Sequence, residues 1–258
     1  MDELFSVRGL RVLVTGGSRG IGAMIAEGFL RHGARVWISA RKANEVMATA
    51  DRLSSLGPCT GIVADLADPA GIETIATAIE AETDGLDVLV NNAGAVWAER
   101  FEAFTPDAWD KVMTVNLKSA FFLTQRLHPL LCRAAAGSGQ RSARVINIGS
   151  IDGLHVPPLE TYPYSASKAG MHHLTRTLAA RLATDNIRVN CIAPGPFESR
   201  MMAATLATMG DAIRAANPLK RIGTPEDVAG TAIFLAARAS DYITGAVIPV
   251  DGGTSTTL

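Results

Sequence analysis

Tyr164 and Lys168, in the stretch YPYSASKAG, are four positions apart. On a helix that spacing puts both side chains on one face, one turn apart. A phenol titrates near about 10 and exchanges protons poorly at neutral pH. An ammonium about 4 Å from a phenolate, at an effective dielectric of about 20, attracts it by roughly 4 kcal/mol. About three pKa units are worth the same energy. The pair therefore predicts a tyrosine drawn towards neutrality by its lysine and able to pass a proton to a substrate. Tyr162 has no such partner, because alanine fills position 166. Tyr-x-x-x-Lys also occurs on ordinary helices, so its meaning depends on the elements around it.

The apolar run Leu10 to Thr15 (LRVLVT) predicts a buried strand, and Ile21 to Arg31 has helical spacing. Between them lies TGGSRGIG, with Gly16, Gly20 and Gly22 spaced G-x-x-x-G-x-G. Such a turn, leaving a strand and opening a helix, lets backbone N–H groups approach a pyrophosphate with no Cβ in the way. A nucleotide is expected there. Further strands are predicted at Arg35 to Ala40, Gly61 to Ala64, Leu86 to Val90, Arg144 to Ile148, Ile187 to Ile192 and Val247 to Val250. Helices are predicted at Asn44 to Leu56, Ala70 to Glu82, from Thr105-Pro106 towards Pro129, at Tyr164 to Ala183, and after the cap Thr224-Pro225-Glu226-Asp227. Ala136 to Ser142 reads as a surface loop. The alternation predicts an α/β fold, a Rossmann-type doubly wound parallel sheet with helices on both faces. No linker or repeat divides it, so residues 1–258 read as a single domain.

An acid at the end of the second strand would bind the 2′-hydroxyl of NAD. Ala40-Arg41-Lys42 stands there instead, with Arg19 in the glycine turn. Cations beside that ribose suit a 2′-phosphate, which predicts NADP(H).

A net charge of −1, from 24 basic and 25 acidic residues without a basic stripe, argues against nucleic acid as the partner. Cys59, Cys132 and Cys191 are too scattered for a zinc pattern, so no metal is expected and the thiols read as reduced. The start Met-Asp-Glu lacks a basic-then-apolar segment, and no apolar run is long enough for a membrane span. The expectation is a cytoplasmic protein.

In order and spacing, TGGSRGIG, Asp65 in ADL, the NNAG of Asn91 to Gly94, Asn116, Ser150 in INIGS, Tyr164-x-x-x-Lys168, Pro194-Gly195 and the late VDGG resemble the short-chain dehydrogenase/reductase family. The likeness covers essentially the whole chain. Its wording is most similar to the 3-oxoacyl-thioester reductases, and within them to the rhamnolipid-pathway β-ketoacyl reductases. The resemblance implies Tyr164 as general acid, Ser150 as the hydrogen-bond donor holding the carbonyl oxygen, and Lys168 lowering the tyrosine pKa while binding the nicotinamide ribose. It implies Asn116 as anchor of a water relaying protons to Lys168. For NADP(H) it implies Gly16, Ser18, Arg19, Gly20 and Ile21 at the phosphates and Arg41 at the 2′-phosphate. Asp65 and Leu66 would edge the adenine, with Asn92, Ala93 and Gly94 beside the adenosine ribose. Pro194, Gly195, Phe197 and Ser199 would face the nicotinamide, with Tyr164 and Lys168. Ser199 stands where threonine is usual, and Pro196 stiffens a turn that often carries an aromatic or aliphatic residue.

Met201 to Asn217 is the expected cover over the substrate, with Met201, Met202, Leu206 and Met209 suited to an acyl chain. Trp97 and His155 are further candidates for the pocket. Arg100, Arg200, Arg214, Lys220 and Arg221 are the cations available to an acidic carrier. The reading is an NADPH-dependent reductase of a small-molecule ketone, a 3-oxoacyl thioester on acyl carrier protein or coenzyme A. A sugar, steroid or other secondary-alcohol dehydrogenase is the alternative on the same site. A nucleotide-sensing module without chemistry is the alternative of another class, although such a module has no need to keep both Tyr164 and Lys168. The family resemblance also implies a homotetramer.

Overall fold

The computed structural model describes residues 3–137, 142–199 and 202–257. Seven parallel strands form one sheet in the order β3-β2-β1-β4-β5-β6-β7. They are β1 (Arg11–Thr15), β2 (Arg35–Ala40), β3 (Cys59–Val63), β4 (Val88–Asn91), β5 (Ala143–Ile148), β6 (Ile187–Pro194) and β7 (Val247–Val250). The helices are α1 (Gly20–Arg31), α2 (Ala43–Leu53), α3 (Pro69–Glu80), α4 (Pro106–Met113), α5 (Ser119–Ala135), α6 (Tyr162–Leu182), α7 (Ala203–Ala216), α8 (Pro225–Ala236) and α9 (Thr254–Thr257). The predicted doubly wound fold is the observed one.

The strands read as continuous apolar runs because both faces of the sheet are covered. Val12 and Val14, Val36 and Ile38, and Val88 and Val90 point into one core, shared with Ile25 and Phe29 of α1 and Val228 and Ala232 of α8. Their neighbours Leu13, Trp37 and Leu89 enter the opposite core, with Ile75 of α3, Leu127 of α5 and Ala179 of α6. The capping box at Thr224 and Asp227 forms as expected at the start of α8. Among the described residues, no helix is long and apolar enough to cross a membrane.

Several element ends shift by one to three residues, and the α4–α5 region departs further from expectation. The helix predicted to stop near Pro129 runs on through it to Ala135. Proline removes the bond to the carbonyl four residues back, but Gln125 and Pro129 both lie on the exposed side of the helix, where losing that bond costs least. Between α4 and α5, Thr114–Lys118 forms a π turn that periodicity alone does not reveal. Residues 138–141 of the predicted surface loop, Met201 of the predicted cover and the candidate carrier cation Arg200 lie outside the described residues.

The sheet order reverses between β1 and β4, and a crevice beyond the carboxyl ends of such strands is where doubly wound folds bind ligands. The glycine turn follows β1, Asn92 to Gly94 follows β4, Ser150 follows β5, and Gly195 follows β6. The fold therefore brings the predicted site to one end of the sheet.

Candidate active site

The glycine turn is a cradle that side chains would fill. A Cβ on Gly22 would lie 2.4 Å from Asn92 Nδ2, and one on Gly17 would lie 2.7 Å from Ile38. Gly16 and Gly20 adopt left-handed backbone, with φ of 64° and 54°. Asn92 closes the turn, donating from Nδ2 to the Thr15 carbonyl at 2.8 Å. The Thr15 hydroxyl accepts from the backbone N–H groups of both Asn92 and Ala93 at 3.0 Å. Arg19 sits at the N-cap of α1 without a side-chain cap, which leaves the first N–H groups of that helix for an anion. These features fit a dinucleotide pyrophosphate.

At the end of β2, Arg41 and Lys42 are exposed. Glu45 of α2, not anticipated from the sequence, pairs with Arg19 at 2.6 Å and Lys42 at 3.0 Å. Asp65 turns its carboxylate on the backbone N–H of Ala67 at 3.0 Å, and Leu66 is buried in the core. Phe197 departs from expectation. Its ring is buried against Gly223, where a Cβ would come within 2.3 Å of it, so the backbone is what residue 197 offers a nicotinamide. Ser199 is close to the phosphate turn, 3.3 Å from where a Gly20 Cβ would lie.

Tyr164 and Lys168 lie on the first two turns of α6. Lys168 is buried; its Nζ donates to the Ile148 carbonyl at 2.7 Å and lies 5.6 Å from the centroid of the Tyr164 ring. Burial pulls the lysine down to about 8. Burial also pushes Tyr164 up to about 12, with a hydrogen bond to Ser150 pulling the opposite way and the Asp152 charge adding to the rise. The expected downward shift is thus reversed. Desolvation of the phenolate dominates the shift, and the Lys168 hydrogen bond is directed at the Ile148 carbonyl. The outcome is a firmly protonated tyrosine beside a lysine that titrates near 8.

Ser150 caps the short turn Ile151–Gly153, accepting from the Asp152 N–H at 3.1 Å. A Cβ on Gly153 would meet the α6 backbone at 2.7 Å, so the turn lies tight against the helix that carries Tyr164. Asn116, buried in the π turn, accepts from the Ala95 N–H at 2.7 Å and donates to the Ala95 carbonyl at 3.0 Å and Ser167 at 2.9 Å. It ties the loop after β4 to α6. π turns recur at functional sites for such local rearrangements. Tyr162 is turned elsewhere, its hydroxyl donating to Glu160 at 2.8 Å and its ring set edge-on against Phe101 and Phe104.

The polar links behind the site escaped sequence reasoning. Buried Asn91 donates to Asn147 at 2.9 Å and Thr124 at 3.1 Å, and Asn147 donates to Thr175 at 2.9 Å. This chain joins β4, β5, α5 and α6 behind the site. His172, one turn after Lys168, is buried and held down to about 4 by burial first and by Lys168 second. Only the i, i+4, i+8 spacing of Tyr164, Lys168 and His172 hinted at its place.

Exposed apolar side chains rim the crevice on the loops after β4 and β5. They include Val96, Trp97 and Phe101 on one loop, and Leu154, Val156 and Leu159 on the other. The loops meet where the Glu99 N–H donates to the Glu160 carbonyl at 3.2 Å. Met209 of α7 is also exposed. His155 is half-buried, with Nδ1 3.2 Å from the Val156 carbonyl. Three of the candidate carrier-binding cations are engaged: Arg214 with Asp211, Arg221 with Asp227, and Lys220 with the Ala215 carbonyl. Arg100 is exposed.

A family model described as "Enoyl-(Acyl carrier protein) reductase" matches residues 16–255. The chain is 48% identical to the rhamnolipids biosynthesis 3-oxoacyl-[acyl-carrier-protein] reductase of Pseudomonas aeruginosa, over 98% of this chain and 99% of that one. It is 34% identical to a 3-oxoacyl-[acyl-carrier-protein] reductase of Salmonella typhimurium, covering 96% and 98%. Its fold matches the Pseudomonas aeruginosa RhlG/NADP active-site complex with a TM-score of 0.93 and 47% identity, covering 99% of this chain and 100% of that one. A gluconate 5-dehydrogenase from Burkholderia cenocepacia, solved with NADP and tartrate, matches at 0.90 and 32% identity over 99% of both chains.

Proposed function

The chain belongs to the short-chain dehydrogenase/reductase family, and from that membership we propose that it is an NADPH-dependent reductase of 3-oxoacyl thioesters. The observation that carries the reading is the convergence of Ser150, Tyr164 and Lys168 beyond the carboxyl ends of the strands, next to a turn shaped for pyrophosphate. Gly16, Ser18, Arg19, Gly20 and Ile21 would hold the phosphates, with Arg41 at the 2′-phosphate and Asp65 and Leu66 near the adenine. Asn92, Ala93 and Gly94 would flank the adenosine ribose, and Pro194, Gly195, the Phe197 backbone and Ser199 the nicotinamide. NADPH, when bound, supplies the hydride.

The chain's own residues supply the rest. Ser150 fixes the ketone oxygen by a hydrogen bond. Tyr164, protonated throughout the working range, gives that oxygen its proton. Lys168, charged below about 8, places a cation beneath the phenol as it loses the proton. Asn116 positions the β4 loop against α6, and the relay water suggested by the resemblance would lie near it.

The apolar rim and Met209 favour an acyl chain over a polyol, and the more identical relative is named for acyl-carrier-protein substrates. A homotetramer in the cytoplasm is part of the proposal. Exposed Trp109 on α4 and Phe122 on α5, together with half-buried edge strand β7, support association. The purified protein should oxidise NADPH with 3-oxoacyl thioesters of acyl carrier protein or coenzyme A, and neither with gluconate-type ketones nor with enoyl thioesters. Preference for either of the latter two would overturn the substrate assignment.

A further inference from the structure

At the other end of α6, far from the crevice, three side chains of different chemistry meet. His128 and Cys132 are one turn apart on α5, and Asp185 ends the short turn that follows α6. His128 Nε2 lies 3.0 Å from Asp185 Oδ2 and 3.3 Å from Cys132 Sγ, and the three ligand atoms all lie within 4.8 Å of one another. All three residues are half-buried, reachable from solvent yet held by the fold. From Tyr164 the helix runs to Leu182, about 27 Å at 1.5 Å per residue.

We propose that His128, Cys132 and Asp185 form a Zn²⁺ site. One nitrogen, one sulfur and one oxygen are the ligand set of a borderline-soft cation that tolerates all three, unlike Mg²⁺ or Ca²⁺. Zinc bonds of about 2.0–2.3 Å at tetrahedral angles need N–O and N–S separations of about 3.4 and 3.6 Å. The two separations from His128 Nε2 come within a few tenths of an ångström of these values, and the Cys132 Sγ to Asp185 separation, within 4.8 Å, closes towards about 3.6 Å by side-chain rotation. His128 binds as the Nδ1–H tautomer with its Nε2 lone pair on the metal. Cys132 binds as thiolate, its proton passing to solvent, and water fills the fourth position. Arg181, now 3.0 Å from Asp185 Oδ2, moves to the second carboxylate oxygen. The metal then clamps α5 to the junction of α6 and β6, where without it the His128–Asp185 contact at 3.0 Å and the Asn186 Nδ2 bond to the Ala135 carbonyl at 3.4 Å join the two.

The test is titration of the chelator-treated full chain with Zn²⁺, followed by thermal unfolding, and with Co²⁺, followed by absorption. Zn²⁺ at a hundredfold excess over its dissociation constant should raise Tm by about 5 °C. Co²⁺ should give one equivalent of a near-ultraviolet thiolate-to-metal band. Cys132→Ser should remove the band, and His128→Gln should weaken Zn²⁺ binding by at least about tenfold. Cys59→Ser should retain the full response, and reductase turnover should be unchanged in Cys132→Ser. Absence of the band in the wild type, or a band and Tm shift that survive Cys132→Ser, would overturn the site.

Discussion

Lys168 Nζ donates to the carbonyl oxygen of Ile148 at 2.7 Å, which fixes the ammonium at the end of β5, below the Tyr164 ring. The lysine is therefore a charge held in place by the strand, while Ser150 acts on the phenol by lowering its pKa against the rise from burial.

The pH dependence of reduction follows from this arrangement. Tyr164 stays protonated up to about 12, while Lys168 loses its proton near 8. The rate of ketone reduction should be level through neutral pH and fall as pH rises through about 8. A kcat/KM profile against pH checks this, and Lys168→Met should remove the inflection along with most activity.

His172 gives a stability signature of its own. Its folded pKa of about 4 is below the unfolded value of 6.5, so the unfolded chain binds more protons between those limits. Stability should rise with pH from about 4 to 6.5 and fall on acidification, by up to roughly 3 kcal/mol. His172→Leu should flatten that slope in urea unfolding measured at pH 4.5 and 7.

Much of this was legible in the sequence. Strands β1 and β2 and the glycine turn announced themselves because both faces of the sheet are buried and the turn tolerates no Cβ. Tyr164 and Lys168 stood out by a spacing that suits proton transfer, and Ser150 by the family resemblance alone. The direction of the Tyr164 shift was not legible, since it depends on how many atoms crowd the phenol. Phe197 read as a cofactor contact, although Gly223, 26 residues away, makes room for its ring in the core. The Asn91–Asn147 link joins residues 56 apart, and Asp185 reaches His128 across 57. Long-range polar pairs of that kind leave no local pattern.

The polar chain behind the site should carry stability. Asn147→Ala strips partners from buried Asn91 and Thr175. Asn91 keeps its bond to Thr124 and Thr175 its bond to the Met171 carbonyl, so one amide hydrogen of Asn91 loses its partner, at a cost of about 2 kcal/mol, or a Tm lower by roughly 4–8 °C, measurable by calorimetry.

On the proposed function, cofactor choice rests on Arg41. Arg41→Ala should weaken NADPH by about tenfold or more and leave NADH nearly unchanged, because one charged hydrogen bond is worth about 1.5–3 kcal/mol. Fluorescence titration with both dinucleotides distinguishes this from a general loss of binding.

The central claim is that the Tyr164 hydroxyl delivers the proton. Tyr164→Phe removes one oxygen and keeps the ring, so NADPH titration should match the wild type while turnover on a 3-oxoacyl thioester falls by about 10²–10⁴. Turnover within a few-fold of wild type, with NADPH bound normally, would contradict it.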